Sequence, residues 1–224
     1  MIGSFAMSKD ARTHQRYDTE QEKFWQGQFG DEYATRNTSE SYIQENITFF
    51  QKVFSLIEPP QALLEFGPNT GMNLSAINII NPDMKLTGVE INRHAAEKLE
   101  KALPKADIRV DSFLEFKSEE RWDFVFCKGV LIHIAPDRLC DAYDSLYDHS
   151  SAHILIAEYY NTSPTEVQYR GHSEKMFKRD FCGEILDRYP DLRLVDYGFI
   201  YHRDPHFNFY DDVTWFLLKK EPDA

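Results

Sequence analysis

The sequence predicts an α/β protein built on a doubly wound, mostly parallel, seven-stranded sheet. Three observations lead there. Apolar runs alternate with helical patterns from Gln61 to Pro190, and repeated βα units imply parallel strands with helices on both faces. The stretch Leu63-Leu64-Glu65-Phe66-Gly67-Pro68-Asn69-Thr70-Gly71 joins the first strand to a helix through two glycines. Such a junction lets bare backbone approach a nucleotide-like ligand, because glycine turns tightly and adds no side chain. The last two apolar runs, 192–201 and 213–220, have no helix between them. They cannot make a parallel crossover, so they should form an antiparallel hairpin at the sheet edge.

Residues 1–18 are polar and aperiodic, and are expected to be a mobile tail. Residues 19–60 read as a helical lid. Its first part, Gln21 to Asn37, is dense in aromatics: Phe24, Trp25, Phe29 and Tyr33. A helix then begins at Ser41, with Gln44 placed for a capping box. Its Ile43, Ile47, Phe50, Phe54 and Ile57 step by four and three, making an apolar stripe that should pack on the sheet. Pro59 and Pro60 should end it.

Residues 61–224 form the ligand-binding domain. Strands are expected over 61–67, 85–92, 106–113, 122–128 and 153–160. Helices are expected over 71–80 and 93–103. Another opens at Pro136, where a missing N–H costs nothing, and buries Leu139, Ala142, Tyr143 and Leu146. The last is marked by Phe181, Ile185 and Tyr189, and stops at Pro190.

Composition narrows the partners. The chain is 42% hydrophobic and 28% charged, ordinary for a protein that buries a core. Its formal net charge of −12 should repel nucleic acid, and no basic block offsets it. No apolar run approaches the roughly 20 residues of a membrane span. The cysteines Cys127, Cys140 and Cys182 have no metal-ligand spacing, which fits reduced thiols in a cytoplasm and no bound metal.

The ligand of such a sheet lies outside the carboxyl ends of the strands. A dinucleotide site wants G-x-G-x-x-G, and the pair Gly67 and Gly71 with Asn69 between them lacks that spacing. An acid two residues before the first glycine, at Glu65, instead resembles class I S-adenosyl-L-methionine-dependent methyltransferases. The resemblance implies that Glu90, in Gly88-Val89-Glu90-Ile91, holds the cofactor's ribose hydroxyls. It places Asp111-Ser112-Phe113 at the adenine and Cys127-Lys128-Gly129 beside the reacting methyl group. Met72 and Asn73 follow the glycine loop, and Asn69 stands where most of the superfamily has glycine. Asparagine tolerates left-handed backbone, so the loop can keep its shape.

Flanking segments resemble one family in that superfamily, the pseudaminic acid biosynthesis-associated methylases. These segments are EKFWQGQFGDEYATRN (22–37), FGPNTGMNL (66–74), KGVLIHIAPD (128–137), AEYYN (157–161), YRGHSEKMFKRDF (169–181) and DYGFIYHRD (196–204). The resemblance implies methyl transfer to a nonulosonic acid or its nucleotide-activated form, with S-adenosyl-L-homocysteine as product. The protein would be a monomer or homodimer.

The lid residues Trp25 and Tyr33 would cover the cofactor, although Trp25 also reads as plain core packing. Arg36 would meet the cofactor's carboxylate or, equally, make a surface salt bridge. The loop 161–178 concentrates Arg170, His172, Lys175 and Lys178, with Arg179 next to it, in an otherwise acidic chain. That suits an anionic acceptor, since an arginine fork grips carboxylate or phosphate through two bonds. Tyr159, Tyr160, His202 and Arg203 complete the expected acceptor wall. A sugar hydroxyl needs a base, and His172 is preferred, with His133 as the alternative in an apolar context that also reads as packing. Two rival readings keep the fold: a methyltransferase for another metabolite or a protein side chain, and a cofactor binder without activity.

Overall fold

The computed structural model describes residues 19–36, 40–207 and 211–221, so the expected tail at 1–18 lies outside the described residues. Seven strands form one sheet. They are β1 (Ala62–Phe66), β2 (Lys85–Glu90), β3 (Asp107–Val110), β4 (Trp122–Lys128), β5 (Ser150–Glu158), β8 (Leu192–Ile200) and β9 (Val213–Lys220). Two short strands, β6 (Thr165–Glu166) and β7 (Phe177–Lys178), pair separately. The sheet order is β3-β2-β1-β4-β5-β9-β8. Every pairing from β3 to β5 is parallel, and β9 runs antiparallel to both β5 and β8. The terminal hairpin is present as expected, with its second strand inserted between β5 and the edge.

The helices are α1 (Glu20–Gln26), α2 (Gln28–Arg36), α3 (Glu40–Phe54), α4 (Met72–Ile80), α5 (Arg93–Ala102), α6 (Leu139–His149) and α7 (Phe181–Arg188). Two core clusters lie on opposite faces of the sheet, because alternate strand residues point opposite ways. Leu64, Phe66, Val125, Cys127, Ile154 and Ile156 pack with α6 and α7. Leu63, Phe124, Phe126, Leu155, Trp215 and Leu217 pack with α3, α4 and α5.

Some boundaries differ from the sequence expectation. Ser41 lies inside α3 rather than at its cap, and the helix ends at Phe54, before the prolines. There Leu56 N–H bonds the Val53 carbonyl at 3.1 Å, a tighter final turn. The buried residues of α3 are Glu45, Asn46, Phe49, Phe50 and Val53, a face rotated from the isoleucine stripe. Phe50 meets Phe126 at 5.3 Å between ring centroids, so the helix does pack on the sheet. β3 stops at Val110 because side chains then take the backbone donors. Asp111 accepts the Ser112 N–H at 2.7 Å, and Ser112 Oγ accepts the Leu114 N–H at 3.0 Å. Pro136 heads a short 3-10 turn, Pro136–Arg138, that leads into α6.

No described helix is long and apolar enough to cross a membrane. Among the described residues, no group of three or more His, Cys, Asp or Glu could hold a metal ion. All three cysteines are free thiols.

Candidate active site

The site begins at the carboxyl end of β1. Gly67, Asn69 and Gly71 take φ of 70°, 51° and 84°, so the chain turns through three left-handed residues within five. Asparagine does occupy that backbone region here, and its Oδ1 accepts the Thr70 N–H at 2.7 Å. A Cβ on Gly67 would lie 2.6 Å from Val130 Cγ2. A Cβ on Gly71 would lie 2.0 Å from Leu99 Cδ1, so this second glycine admits α5 rather than a ligand. Glu90 locks the loop to β2. Its Oε2 accepts the Asn69 N–H at 2.7 Å and its Oε1 the Asn92 N–H at 2.8 Å. Burial pushes its carboxyl upward from the usual range, and those backbone donors oppose the shift.

Beneath the loop lies a buried charged cluster. Glu65 is fully buried; Oε1 accepts from Asn73 Nδ2 at 2.6 Å, while Oε2 has no partner. Burial raises its carboxyl to about 8. Lys128 ends β4, beside Ala157 of β5. It is only half-buried by area because it faces the cavity. Desolvation still lowers its ammonium to about 8, against the pull of Glu65, Glu158, Glu45 and Asp211. Glu158, at the end of β5, accepts the N–H groups of Val130, Leu131 and Ile132 at 2.9, 3.0 and 3.4 Å. It thereby fixes the turn that carries His133, and burial holds its carboxyl at about 7.

Two segments outside the sheet close the site. The lid α1–α2 is tied down at several points, among them Lys98 Nζ, which donates to Ala34 O at 3.2 Å. Glu22 caps its own helix with Thr19 and accepts from Ser112 Oγ at the end of β3. Asn92, which also caps α5, donates from Nδ2 to Trp25 O, Gln26 O and Asp31 Oδ1 at 3.2, 3.3 and 2.9 Å. Gly30 permits this approach: a Cβ there would sit 1.8 Å from Trp25 O. Opposite the lid, the expected loop is a folded arm, β6 and β7 with a tip at Arg170-Gly171. Tyr169 and His172 exchange backbone N–H···O bonds at 2.9 and 2.8 Å, and the two tip residues take φ of 49° and 87°. Those signs match a two-residue primed turn. Lid and arm meet through rings: Trp25 lies 4.6 Å from His133, which lies 4.9 Å from Tyr169.

Between these walls is a cavity of about 320 Å³. Of the expected cofactor residues, Trp25, Tyr33, Gly67, Asn69, Met72 and Asn73 line it. So do Glu90, Ile91, Ser112, Phe113, Lys128 and Gly129. Glu65 and Cys127 lie behind the wall, Gly71 packs on Leu99, and Asp111 stands outside. Arg36 is on the outer surface, its guanidinium 5.8 Å from the Phe29 ring.

The expected acceptor residues divide. Tyr159 and Arg170 line the cavity. Tyr160 is exposed against Phe216, and Lys175 sits over the Phe24 ring. Arg179 pairs with Glu184 at 2.6 Å, and His202 with Asp212 at 2.8 Å, both outside the cavity, as is Arg203. The histidines exchange places relative to expectation. His172 packs edge-on against Phe24 and Phe29, outside the cavity, while His133 lines it. His133 Nδ1 must donate to the Lys175 carbonyl, 2.6 Å away, and burial lowers the ring to about 4. Sequence reading missed Glu22, Tyr42, Asn46 and Asp211, all in the cavity wall. Only the Thr19–Glu22 capping spacing carried a signal, and it pointed to a helix start.

The donor set fits a nucleoside-bearing cofactor. A carboxylate, a glycine turn and aromatic walls converge on one cavity, and two buried polar atoms, Glu65 Oε2 and Trp25 Nε1, lack a protein partner. The fold is the Rossmann-like fold of methyltransferases. Magnesium protoporphyrin IX methyltransferase from Synechocystis PCC 6803, with bound S-adenosylhomocysteine (SAH), superposes with a TM-score of 0.65 at 12% identity, covering 89% of this chain and 97% of that one. The plantazolicin methyltransferase BpumL, in complex with SAH and a pentazolic desmethyl analogue, gives 0.61 at 15% identity, covering 89% and 95%. The N-terminal domain of EvdMO1, in the presence of SAH and D-fucose, gives 0.57 at 15%, covering 80% and 84%. No curated protein matches the chain. The methyltransferase-domain family profile matches residues 36–216, and the chain belongs to that family.

Proposed function

We propose that this protein transfers the methyl group of S-adenosylmethionine to a small acidic sugar, a nonulosonic acid or its nucleotide-activated form. The family match and the cavity support the cofactor. Glu90 is placed to accept the ribose hydroxyls, and charge-assisted bonds of that kind are about twice as strong as neutral ones. Trp25 Nε1, in the cavity wall, offers an unused donor for the cofactor's polar groups. The bound cofactor supplies an activated methyl group on a sulfonium. The protein then aligns the acceptor and excludes water, and alignment alone is worth roughly 7–11 kcal/mol. The lid and arm do the excluding.

The observation that carries the acidic acceptor is Arg170. Among the basic candidates near the arm, its side chain lines the cavity, at the tip of a turn whose backbone is fixed. Turnover of labelled cofactor with a panel of sugar acids and nucleotide sugars tests the reading. Arg170→Ala should raise the acceptor KM strongly, and Arg170→Lys should restore part of it, because a point charge cannot copy the fork. Methylation of neutral sugars alone, with KM unaffected by Arg170→Ala, would remove the acidic acceptor.

A further inference from the structure

We propose that Lys128, not a histidine, takes the proton from the acceptor. This rests on the methyl-transfer reading above. The order in which strands are added to the sheet reverses between the parallel neighbours β1 and β4, and ligands of such sheets sit at that switch point. Cys127 of β4 pairs with Phe66 of β1, and Lys128 is the next residue, facing the cavity beside Gly129. Among the described residues, no other side chain that can take up a proton near neutral pH stands at that point on the cavity wall. His172 is outside, and His133, at about 4, is too weak a base to hold a proton at neutral pH.

The surroundings of Lys128 suit the role. Acidic side chains face it from four elements: Glu65 from β1, Glu45 from α3, Glu158 from β5 and Asp211 from the segment before β9. Asp211 is itself engaged by the Tyr159 hydroxyl. Those acids favour an ammonium, yet burial outweighs them and brings the amine to about 8. A lysine in that range shares its time between the two forms at neutral pH, which is what a general base needs. A sulfonium in the same small cavity would push Lys128 further toward the neutral amine, since like charges disfavour one another. The acceptor's O–H bond breaks and its proton joins the Nζ lone pair. The oxygen's electron pair forms the new bond to the methyl carbon, and the carbon–sulfur pair leaves with sulfur. The lysine returns its proton to solvent after product release.

The test has one arm that needs no acceptor. Competitive labelling with trace acetic anhydride across pH, read by mass spectrometry, follows Lys128 directly. Its reactivity should rise with a midpoint near 8, against about 10.4 for an ordinary lysine. Adding S-adenosylmethionine should lower the midpoint, and SAH, which lacks the charge, should not. The second arm uses pseudaminic acid and its nucleotide-activated form as probe acceptors. Wild-type kcat should climb with pH and level off above about 8. Lys128→Arg keeps the cation but cannot give up its proton, so it should bind SAH and lose about 10²–10⁴-fold in turnover. A labelling midpoint in the ordinary lysine range, with and without S-adenosylmethionine, overturns the proposal. So does Lys128→Arg turning over at the wild-type rate. If the wild type methylates neither probe, the acceptor reading falls, and the labelling arm still decides the lysine.

Discussion

The wall of the cavity on the β1–β2 side and the wall on the arm side are built in different ways. On the first, polar groups are tied to the backbone of strand ends: Glu90 holds two N–H groups there, and Glu158 nearby holds three. On the second, lid and arm meet largely through rings, with the hydrogen bond from Gln21 Nε2 to Glu174 O at 2.9 Å at their margin. A wall of strand ends moves only when the sheet moves. A wall held by ring edges and exposed hydrogen bonds opens at lower cost. On the proposed function, the difference matches two tasks, holding the cofactor and admitting then releasing the acceptor.

The sharpest way to break this comparison is to strike the rigid wall. Gly67→Val puts a β-branched residue at φ of 70° with its Cβ against Val130. Strain and overpacking each cost about 1–3 kcal/mol, so calorimetry on the mutant should find SAH binding lost, with a lowered melting temperature. Normal affinity would mean that the loop does not bear on the cofactor. A smaller effect is expected at Glu90. Glu90→Ala should cost about 1–3 kcal/mol of cofactor binding in a protein that still folds, and unchanged affinity would place the ribose elsewhere.

The yielding wall should respond differently. Ser112→Ala removes the contact that holds Glu22 and the lid to β3. Hydrogen exchange over 20–36 should quicken by roughly fivefold to tenfold, the scale of a lost hydrogen bond of about 1 kcal/mol, while β4 and β5 keep their protection. Equal acceleration everywhere would make the lid part of the global unfolding unit.

The smallest effect is one of pH. Glu65 and Glu158 have carboxyls raised to about 8 and 7 by burial. Above about pH 6.5 the unfolded chain has lost those protons, while the folded protein still holds a share of them. Stability of the cofactor-free protein should therefore fall as pH rises from about 6.5 to 8. Glu65→Gln should flatten that slope in thermal melts, and an unaltered slope would mean that Glu65 is ionised in the fold.

What could be read from the sequence divides along the same line. The strands, the glycine turn and Glu90 are local patterns: an apolar run, a turn residue and an acid at a strand end within a few positions of one another. The lid anchors are not local. Glu22 meets Ser112 across 90 residues and Asn92 meets Asp31 across 61, and neither pair has a spacing that marks it. Tyr42 and Asn46 were hidden because the isoleucine stripe of α3 suggested a different buried face. His172 drew notice through its place in a basic segment, and the structure puts it outside the cavity. A tight turn at Arg170-Gly171 sends the arginine into the cavity and lays the histidine against the lid's outer rings. Side-chain direction after a turn depends on φ at two residues, which composition does not report.

The central claim is that this cavity holds S-adenosylmethionine on Glu90 and the Gly67 loop, and one measurement bears on it most directly. Calorimetric titration of the full chain with S-adenosylmethionine, SAH and NAD, followed by melting in saturating ligand, separates the cofactors. The account predicts saturable binding of S-adenosylmethionine and SAH, and a gain of about 2.7 kcal/mol in stability at 100 times the dissociation constant. Tight binding of NAD, with no heat and no stabilisation from either sulfur compound, would contradict it.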